Sequence, residues 1–408
     1  MYSKIRYTDQ LPKSLYRDKT LWIQVAFSAA FFSTSGIWIT AVPRHVKFNL
    51  GYTEFIVGIS ALFFCLAAVL SRPFVNYLGA RRNRHELMLV ALLIMLLGGL
   101  LAMFSDSIAA VLISRMFTGV ADGLFYVAIS TLVVANATDN KRGRALNLYT
   151  ISLYIGITLG PIIGEQLFQI NQQKVFFLAG LSCVLLSIAQ ILLLPLIPSR
   201  YSEHHNLDKK HAAFCVPAIF PGIIFVFGIC AWVGFEQFAP IYGESLGIND
   251  VSGIFAIIGV SVIAIRLLAS TFIDRMHIHL IIAIALANAL IASMVFSFVE
   301  DEVAIYIGSM FLAVSLGFFY PGFVLAAMRR GEKYNSGTVL GTMGMFFDMA
   351  FGILPPVLGI IAARYSYSYM FTLATGAILI AGVSTFFLKI PPLTPGSNEG
   401  DALSDVII

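Results

Sequence analysis

Charged residues are scarce in this chain of 408 residues. Lys, Arg, Asp and Glu make up 12% of the positions and hydrophobic residues 58%, whereas about 25% of the residues in ordinary soluble domains are charged. A soluble protein of this length cannot accommodate so much apolar surface, so most of it must face lipid. The net charge of +4 is therefore not a signal for nucleic-acid binding, and we expect no nucleic-acid partner.

Cysteine is rare as well, and its spacing shows neither a paired nor a metal-binding pattern. Each of the four cysteines lies in or beside an apolar run: Cys65, Cys183, Cys215 and Cys230. We interpret them as small core residues and expect neither a disulfide nor a metal site.

The polar segments between the apolar runs are short and lack the elements of an enzyme. They contain no nucleophile–base pair, no metal cluster and no nucleotide-binding loop, and no soluble domain that could hydrolyse ATP is attached. We therefore expect neither enzymatic activity nor a cofactor.

Twelve apolar runs, each about as long as the 20 residues that an α-helix needs to cross a bilayer, make up most of the chain. They lie near 20–42, 53–76, 87–105, 108–135, 145–168 and 174–196, and then near 217–240, 250–272, 278–298, 303–328, 336–363 and 367–389. This pattern predicts an all-α integral membrane protein with 12 transmembrane helices in two six-helix bundles. The predicted segments are a cytoplasmic N-terminal segment 1–19, the first bundle 20–198, a cytoplasmic linker 199–216, the second bundle 217–390 and a cytoplasmic tail 391–408.

The distribution of basic residues predicts the orientation, because cytoplasmic loops of membrane proteins carry an excess of Lys and Arg. With cytoplasmic termini, nineteen of the 26 basic residues lie on the cytoplasmic side and three lie inside or at the edge of runs. The opposite side receives only four: Arg44, Lys47, Lys174 and Arg364. We therefore expect both termini to be cytoplasmic.

An internal repeat relates the two halves of the chain. Arg72 corresponds to Arg266 at an offset of 194 residues, and the same offset places Gly123-Leu-Phe-Tyr126 on Gly317-Phe-Phe-Tyr320. Because six spans is an even number, both halves keep the same orientation in the membrane. We expect parallel repeats related by an axis along the membrane normal, with a cavity between them near the midplane.

Four local motifs resemble those of the major facilitator superfamily, and the resemblance covers essentially the whole chain. The loop 72–84 resembles the motif R-P-x-x-G-x-L-x-D-R-x-G-R, although Ala80 stands where the motif has aspartate. The other three are Arg115-Met-Phe-Thr-Gly119, Arg142-Gly-Arg-Ala145 and Gly156-Ile-Thr-Leu-Gly160-Pro161-Ile-Ile-Gly164, of which the last resembles a motif that the family associates with antiporters. The chain is most similar to the bacterial drug/proton-antiporter and sugar-efflux branches. The resemblance implies the major facilitator fold and a multi-pass protein of the bacterial plasma membrane.

The glycine motif in the fifth span is a candidate for gating. Gly156, Gly160 and Gly164 recur every four residues and share one helix face, which allows a neighbouring helix to approach closely. Pro161 removes a helix hydrogen bond and is expected to bend the span. These residues serve either helix packing alone or a seal on the outward side.

Loop residues between the second and third spans, and their equivalents in the second half, are the other gating candidates. They are Arg81, Arg84, Asp274 and Arg275. The arginines are either plain signals of the cytoplasmic side or part of a latch that holds this side closed by pairing with acidic groups or helix C-termini.

Ionisable residues inside spans are costly and are functional candidates by default. Asp122 and Asp348 lie near the middle of spans four and eleven, Glu236 in the outer half of span seven, and Glu165 at the outer end of span five. Desolvation favours the neutral form of a carboxylate, so such a group can take up a proton on one side of the membrane and release it on the other. We predict that these four acids include the proton carrier or cation-binding group, the alternative being acids satisfied by a neighbouring arginine or helix end.

Arg115 in the outer part of span four is the basic member of this set. Seven residues separate it from Asp122, so both face the same side of the helix, about 10 Å apart along its axis. Glu165 or Glu236 could equally form an ion pair with Arg115. Other candidate substrate-binding residues are Trp38, Ser35, Tyr126, Gln237, Phe319 and Tyr320, although ordinary packing is an alternative for each aromatic residue.

The sequence favours a proton-coupled exporter of a small organic molecule, such as a drug-like compound, a metabolite or a metallophore, that works by alternating access. A proton-coupled importer or a facilitator is the alternative within transport, and a non-transporting membrane receptor is the alternative from another class. The expected partners are the substrate, protons and the lipid bilayer, and we expect a monomer. Acids outnumber bases at mid-membrane, which favours cationic or zwitterionic substrates. Anionic substrates remain an alternative because of Arg115.

Overall fold

A computed structural model describes residues 19–79, 84–104, 107–136, 142–197, 214–273, 276–299, 301–334 and 336–391. The helices of the first half are α1 Lys19–Arg44, α2 Glu54–Gly79, α3 Arg84–Met103, α4 Ile108–Asn136, α5 Arg142–Ile170 and α6 Val175–Leu193. Those of the second half are α7 Val216–Gly228, α8 Cys230–Ser245, α9 Ser252–Ile273, α10 Ile278–Phe298, α11 Glu302–Arg330, α12 Ser336–Arg364 and α13 Tyr367–Thr385. We call α1–α6 the N-half and α7–α13 the C-half.

The described part of the chain is helical and contains no strand. Eleven of its helical segments are long and apolar enough to cross a membrane, and α9 supplies a further apolar helix. Large apolar side chains project outwards from these helices, among them Leu70, Phe104, Leu192, Val260 and Phe386, as expected of a surface that faces lipid. The prediction of an all-α membrane protein is confirmed.

The seventh predicted span consists of two helices rather than one. Val216–Ser245 forms a single candidate span, but the helix is interrupted at Ile229, between α7 and α8. Gly228 precedes the interruption and has a low helix propensity, and the Phe319 ring lies so close that a Cβ at Gly228 would be 2.6 Å from it. The Ile229 N–H still donates to the Phe225 carbonyl, so the direction of the span continues.

Helices α1 and α5 pack backbone against backbone, as the glycine spacing predicts. A Cβ at Gly160 would be 2.7 Å from the Ser33 carbonyl oxygen, and one at Gly164 would be 2.6 Å from that of Ile37. On the facing helix, a Cβ at Gly36 would be 2.6 Å from the Gly156 oxygen. Any side chain at these positions would push the two helices apart.

The N-half and C-half meet along two seams, α2 against α12 and α5 against α9. The seams are equivalent under the 194-residue offset, and they repeat one contact. Cys65 of α2 meets Gly352 of α12, and their equivalents Gly259 of α9 and Thr158 of α5 meet in the other seam. A glycine on one side of each seam makes room for a small side chain on the other, which brings the halves close together at mid-helix.

Polar contacts join the halves at the end of the bundle where α1 ends and α2 begins, which we call the Arg44 end. Glu54 of α2 accepts hydrogen bonds from Lys47 (2.7 Å) and from the Tyr367 hydroxyl of α13 (2.9 Å). The Gln166 side chain of α5 donates to Ser252 of α9 at 3.2 Å. The distribution of basic residues predicts that this end is extracytoplasmic.

Candidate functional site

Four of the predicted charged residues lie around one residue of α2. Cys65 is close enough to interact electrostatically with all of them: Asp348, Arg115, Glu236 and Asp122. These side chains come from α12, α4, α8 and α4, so both halves contribute. We call Cys65 and these four residues the central cluster.

Close helix packing places the central cluster at the seam between the halves. Gly119 of α4 packs against the backbone of Phe64, one residue before Cys65, and a Cβ there would overlap the Phe64 carbonyl. On the other side of α2, a Cβ at Gly352 would be 3.3 Å from the Cys65 Cβ. Two glycines therefore bring α4 and α12 against the same turn of α2, one from each half.

Asp122 lies on α4 at the contact with α1. The Ser35 hydroxyl donates a hydrogen bond to its Oδ1 atom at 3.1 Å. Asp122 also interacts electrostatically with Arg115 on the same helix.

Arg115 is 8% exposed, and its guanidinium carbon lies 4.3 Å from the centroid of the Phe64 ring. Its Nε and Nη1 atoms are buried and find no hydrogen-bond partner among the described residues. Burial of a donor without a partner is costly, which makes these two nitrogens the least satisfied polar atoms on the N-half side of the cluster.

Glu236 lies across the seam, on α8. The Trp232 side chain is a hydrogen-bond partner of its carboxylate, while the buried Oε2 atom has no partner among the residues that the structure describes. The neighbouring Gln237 is only partly buried.

Asp348 is buried on α12 beside an aromatic group of the C-half. The adjacent Phe347 stacks on Phe351 with ring centroids 4.6 Å apart and makes an edge contact with Tyr320 of α11 at 6.1 Å. In the N-half, Tyr126 lies 6.3 Å from Tyr149, centroid to centroid. Both Tyr126 and Tyr320, which the repeat makes equivalent, remain partly exposed.

Two of the predicted substrate-binding residues lie in the packed interior of their own halves. Trp38 is buried against Phe176 of α6, with ring centroids 5.3 Å apart. Phe319 is buried between Phe225 and Phe323. The structure does not bring either residue into contact with the central cluster, and their proposed role stays a prediction.

Glu165 is not part of the cluster: it pairs with Arg44 and not with Arg115. The Arg44 Nη2 atom lies 2.5 Å from the Glu165 Oε1 atom, and both side chains are fully buried. Arg44 also pairs with Glu244 of α8 in the C-half, and its guanidinium lies 4.1 Å from the Phe168 ring centroid. We call Arg44, Glu165 and Glu244 the terminal ion-pair triad.

Arg44 and Glu244 are candidate functional residues that the sequence did not single out. Each lies at the end of an apolar run, where a charged side chain ordinarily reaches water. The available signal was that Arg44 directly follows Pro43 on the side of the membrane that is poor in basic residues.

The gating candidates are only partly within the described residues. Arg84 begins α3 and is partly buried, whereas Arg81, Asp274 and Arg275 lie outside the described residues. Helix α5 continues through Pro161, whose carbonyl accepts a hydrogen bond from the Thr40 hydroxyl of α1 at 3.2 Å. The gating role of the loop residues and of the glycine motif stays a prediction.

The acidic groups of the described residues do not form a metal-binding cluster. Within these ranges, no three His, Cys, Asp or Glu side chains lie close enough together to hold a metal ion.

The chain is similar to known membrane transporters in sequence and in structure. A family model described as Major Facilitator Superfamily matches residues 24–350. The staphylopine export protein of Staphylococcus aureus (strain Mu50 / ATCC 700699) is 21% identical over 384 residues, which cover 90% of this chain and 95% of that protein.

Two solved structures share the fold. The nucleoside transporter NupG has a TM-score of 0.70 at 15% identity and covers 91% of this chain and 100% of its own. A bacterial homologue of the human lysosomal transporter Spinster, in an inward-facing and unoccupied conformation, has a TM-score of 0.69 at 11% identity and covers 96% and 98%.

Proposed function

The chain belongs to the major facilitator superfamily, and on this premise we propose that it is a secondary active transporter that exports a small organic molecule in exchange for protons. The central cluster carries the proposal, because it gathers acids from the interior of spans in both halves near the seam between them. Similarity to a protein whose name states export supports the direction.

Alternating access gives this cluster a mechanism. Two halves that rock against each other would open the cluster to one side of the membrane at a time. Asp122, Asp348 and Glu236 would bind protons when open to the acidic side and release them when open to the cytoplasm, and the substrate would compete with protons for the same acids.

The terminal ion-pair triad fits the same mechanism as the contact that closes one side. Arg44 links the carboxylates of Glu165 and Glu244 across the halves. In the proposed cycle the Arg44–Glu244 pair forms when the Arg44 end is closed and separates when it opens, while Glu165, in the same half as Arg44, holds the guanidinium in place. Glu165 therefore serves closure in this proposal, with a part in proton coupling as the alternative.

Neutralising the cluster acids tests the proposal. Everted membrane vesicles that contain the protein are energised and incubated with a water-soluble metabolite extract, and accumulated compounds are measured by mass spectrometry. We expect Asp122→Asn, Asp348→Asn or Glu236→Gln to lower gradient-driven accumulation at least about ten-fold, because each removes a protonatable group. Glu302→Gln, at an exposed acid outside the cluster, is the matched control and should keep wild-type accumulation.

The same vesicles separate the alternatives. Entry that stops at the external concentration and is unaffected by an uncoupler would indicate a facilitator, and accumulation only in right-side-out vesicles would indicate an importer. A receptor would accumulate nothing in either preparation. Full gradient-driven accumulation in all three single variants would contradict proton coupling through this cluster.

A further inference from the structure

Within the proposed transport function, on which this step rests, we infer that the substrate is a zwitterion that bridges the two halves, with its acidic group on Arg115 and its amino group on Glu236. The observation behind it is a pair of opposite charges, one from each half, near Cys65 at the seam: the Arg115 guanidinium lies over the Phe64 ring of α2, and Glu236 lies on α8. Each of them has buried atoms without a hydrogen-bond partner among the described residues.

On the N-half side, Arg115 is suited to a carboxylate or a similar anion. The Phe64 ring covers one face of the guanidinium, so the N–H groups at the edge are left for a ligand. Nε and Nη1 are both unpaired within the described part of the chain, and a planar guanidinium binds the two oxygens of a carboxylate through such parallel donors.

On the C-half side, Glu236 is suited to an amine. Trp232 is a hydrogen-bond partner of its carboxylate, while Oε2 lacks a partner among the described residues. A protonated amino group donates up to three hydrogen bonds and would satisfy this oxygen while neutralising the buried charge.

A substrate of one charge alone would satisfy only half of this arrangement. A simple cation would leave the Arg115 donors unpaired and would meet a like charge, whereas a simple anion would do the same at Glu236. A zwitterion satisfies both groups, and because they belong to different halves, its binding would draw the halves together. The amino group would then compete with a proton for Glu236, as the proposed exchange requires.

The identity of the accumulated compounds tests the inference without assuming a ligand. Everted vesicles with and without the protein are energised in the same metabolite extract, and the compounds that the protein enriches are identified. We expect them to carry both an acidic and an amino group. Each enriched compound is then compared with its methyl ester, which lacks the acid, and its N-acetyl derivative, which lacks the amine, and we expect a preference for the free compound of about ten-fold or more.

Variants assign the two groups to their residues. Arg115→Gln should abolish the preference for the free compound over its ester, and Glu236→Gln should abolish the preference over the N-acetyl derivative. Arg115→Lys, which keeps the charge, should retain part of the preference. Detergent-extracted variants that elute as the wild type does in size exclusion are folded, and only those are compared.

The outcomes distinguish this inference from the proposed function. Enriched compounds that lack either group, or an Arg115→Gln variant that keeps the full preference over the ester, would overturn the zwitterion and leave transport intact. If wild-type vesicles enrich no compound in either orientation, the transport function itself fails, and the inference fails with it.

Discussion

Arg44 is fully buried between two carboxylates that differ in exposure. The Glu165 side chain is fully buried, whereas that of Glu244 is 36% exposed. Removing one partner of a buried ion pair leaves an uncompensated charge in a poorly solvated place, which costs far more than removing a partner that water can replace. The two acids should therefore contribute unequally to stability.

We expect Glu165→Gln to destabilise the protein by about 3 kcal/mol and Glu244→Gln by less than about 1 kcal/mol. Thermal unfolding of the purified variants in detergent measures the order. Arg44→Met combined with Glu165→Gln should recover part of the lost stability, because the double change removes both buried charges. Equal losses for the two single variants would contradict the assignment of the buried pair.

The acids at mid-membrane could be identified from the sequence, but their partners could not. Asp122, Glu236 and Asp348 stand out because charge inside an apolar run is rare and costly. That they surround Cys65 depends on the packing of α4, α8 and α12 against or near α2, which no single run reveals. Arg44 escaped notice because a charge at the end of a run has the same sequence pattern whether it reaches water or bridges two helices.

Helices α1 and α5 owe their close approach to glycines on both sides of the contact. The atoms nearest to Gly160 are backbone atoms of α1, which cannot rotate away as a side chain can. Gly382 of α13, by contrast, faces open space: a Cβ there would have no neighbour within 4 Å. The two sites form a matched pair of helical glycines, one tight and one open.

We predict that Gly160→Ala destabilises the protein by about 1–3 kcal/mol, because overpacking forces backbone shifts. Gly382→Ala should be neutral or stabilising by up to about 1 kcal/mol, since alanine is the better helix former. Thermal unfolding of both variants beside the wild type checks the contrast. A Gly160→Ala variant as stable as Gly382→Ala would show that the helices can separate there at no cost.

The bounds of the helices could be predicted from the sequence better than the contacts between the helices. The predicted run 108–135 becomes Ile108–Asn136, and 20–42 becomes Lys19–Arg44, because an uninterrupted apolar run in a membrane leaves the backbone little choice but a helix. Periodic glycines on α5 predicted a close contact but did not identify Gly36 as the facing residue. The interruption at Ile229 depends on the Phe319 ring of α11, a tertiary contact that the run itself does not encode.

At the scale of the whole molecule, the repeat explains why the two seams are alike. Spans two and five of the N-half correspond to α9 and α12 of the C-half, so the α2–α12 and α5–α9 seams are copies of one interface. Polar contacts also cross between the halves: the terminal ion-pair triad joins α1, α5 and α8, and the Arg266 guanidinium donates to the Tyr154 hydroxyl at 2.7 Å in the α5–α9 seam. Two copies of one packing interface suit two halves that rock about a common axis.

If the halves rock, holding the Arg44 end closed must stop transport. Gln166 of α5 and Ser252 of α9 are hydrogen-bonded across the seam, and the four native cysteines are buried, so a Gln166→Cys/Ser252→Cys variant can be bridged by a short bis-methanethiosulfonate, which forms a reducible disulfide with each cysteine as sulfinate leaves. We expect gradient-driven accumulation in vesicles to fall to background after cross-linking and to return on reduction, because the Arg44 end could no longer open. Each single cysteine variant, treated identically, should keep its activity. A bridged double variant that transports at the unbridged rate would mean that the substrate crosses without separation of α5 from α9 at this end, and the alternating-access cycle would have to be abandoned.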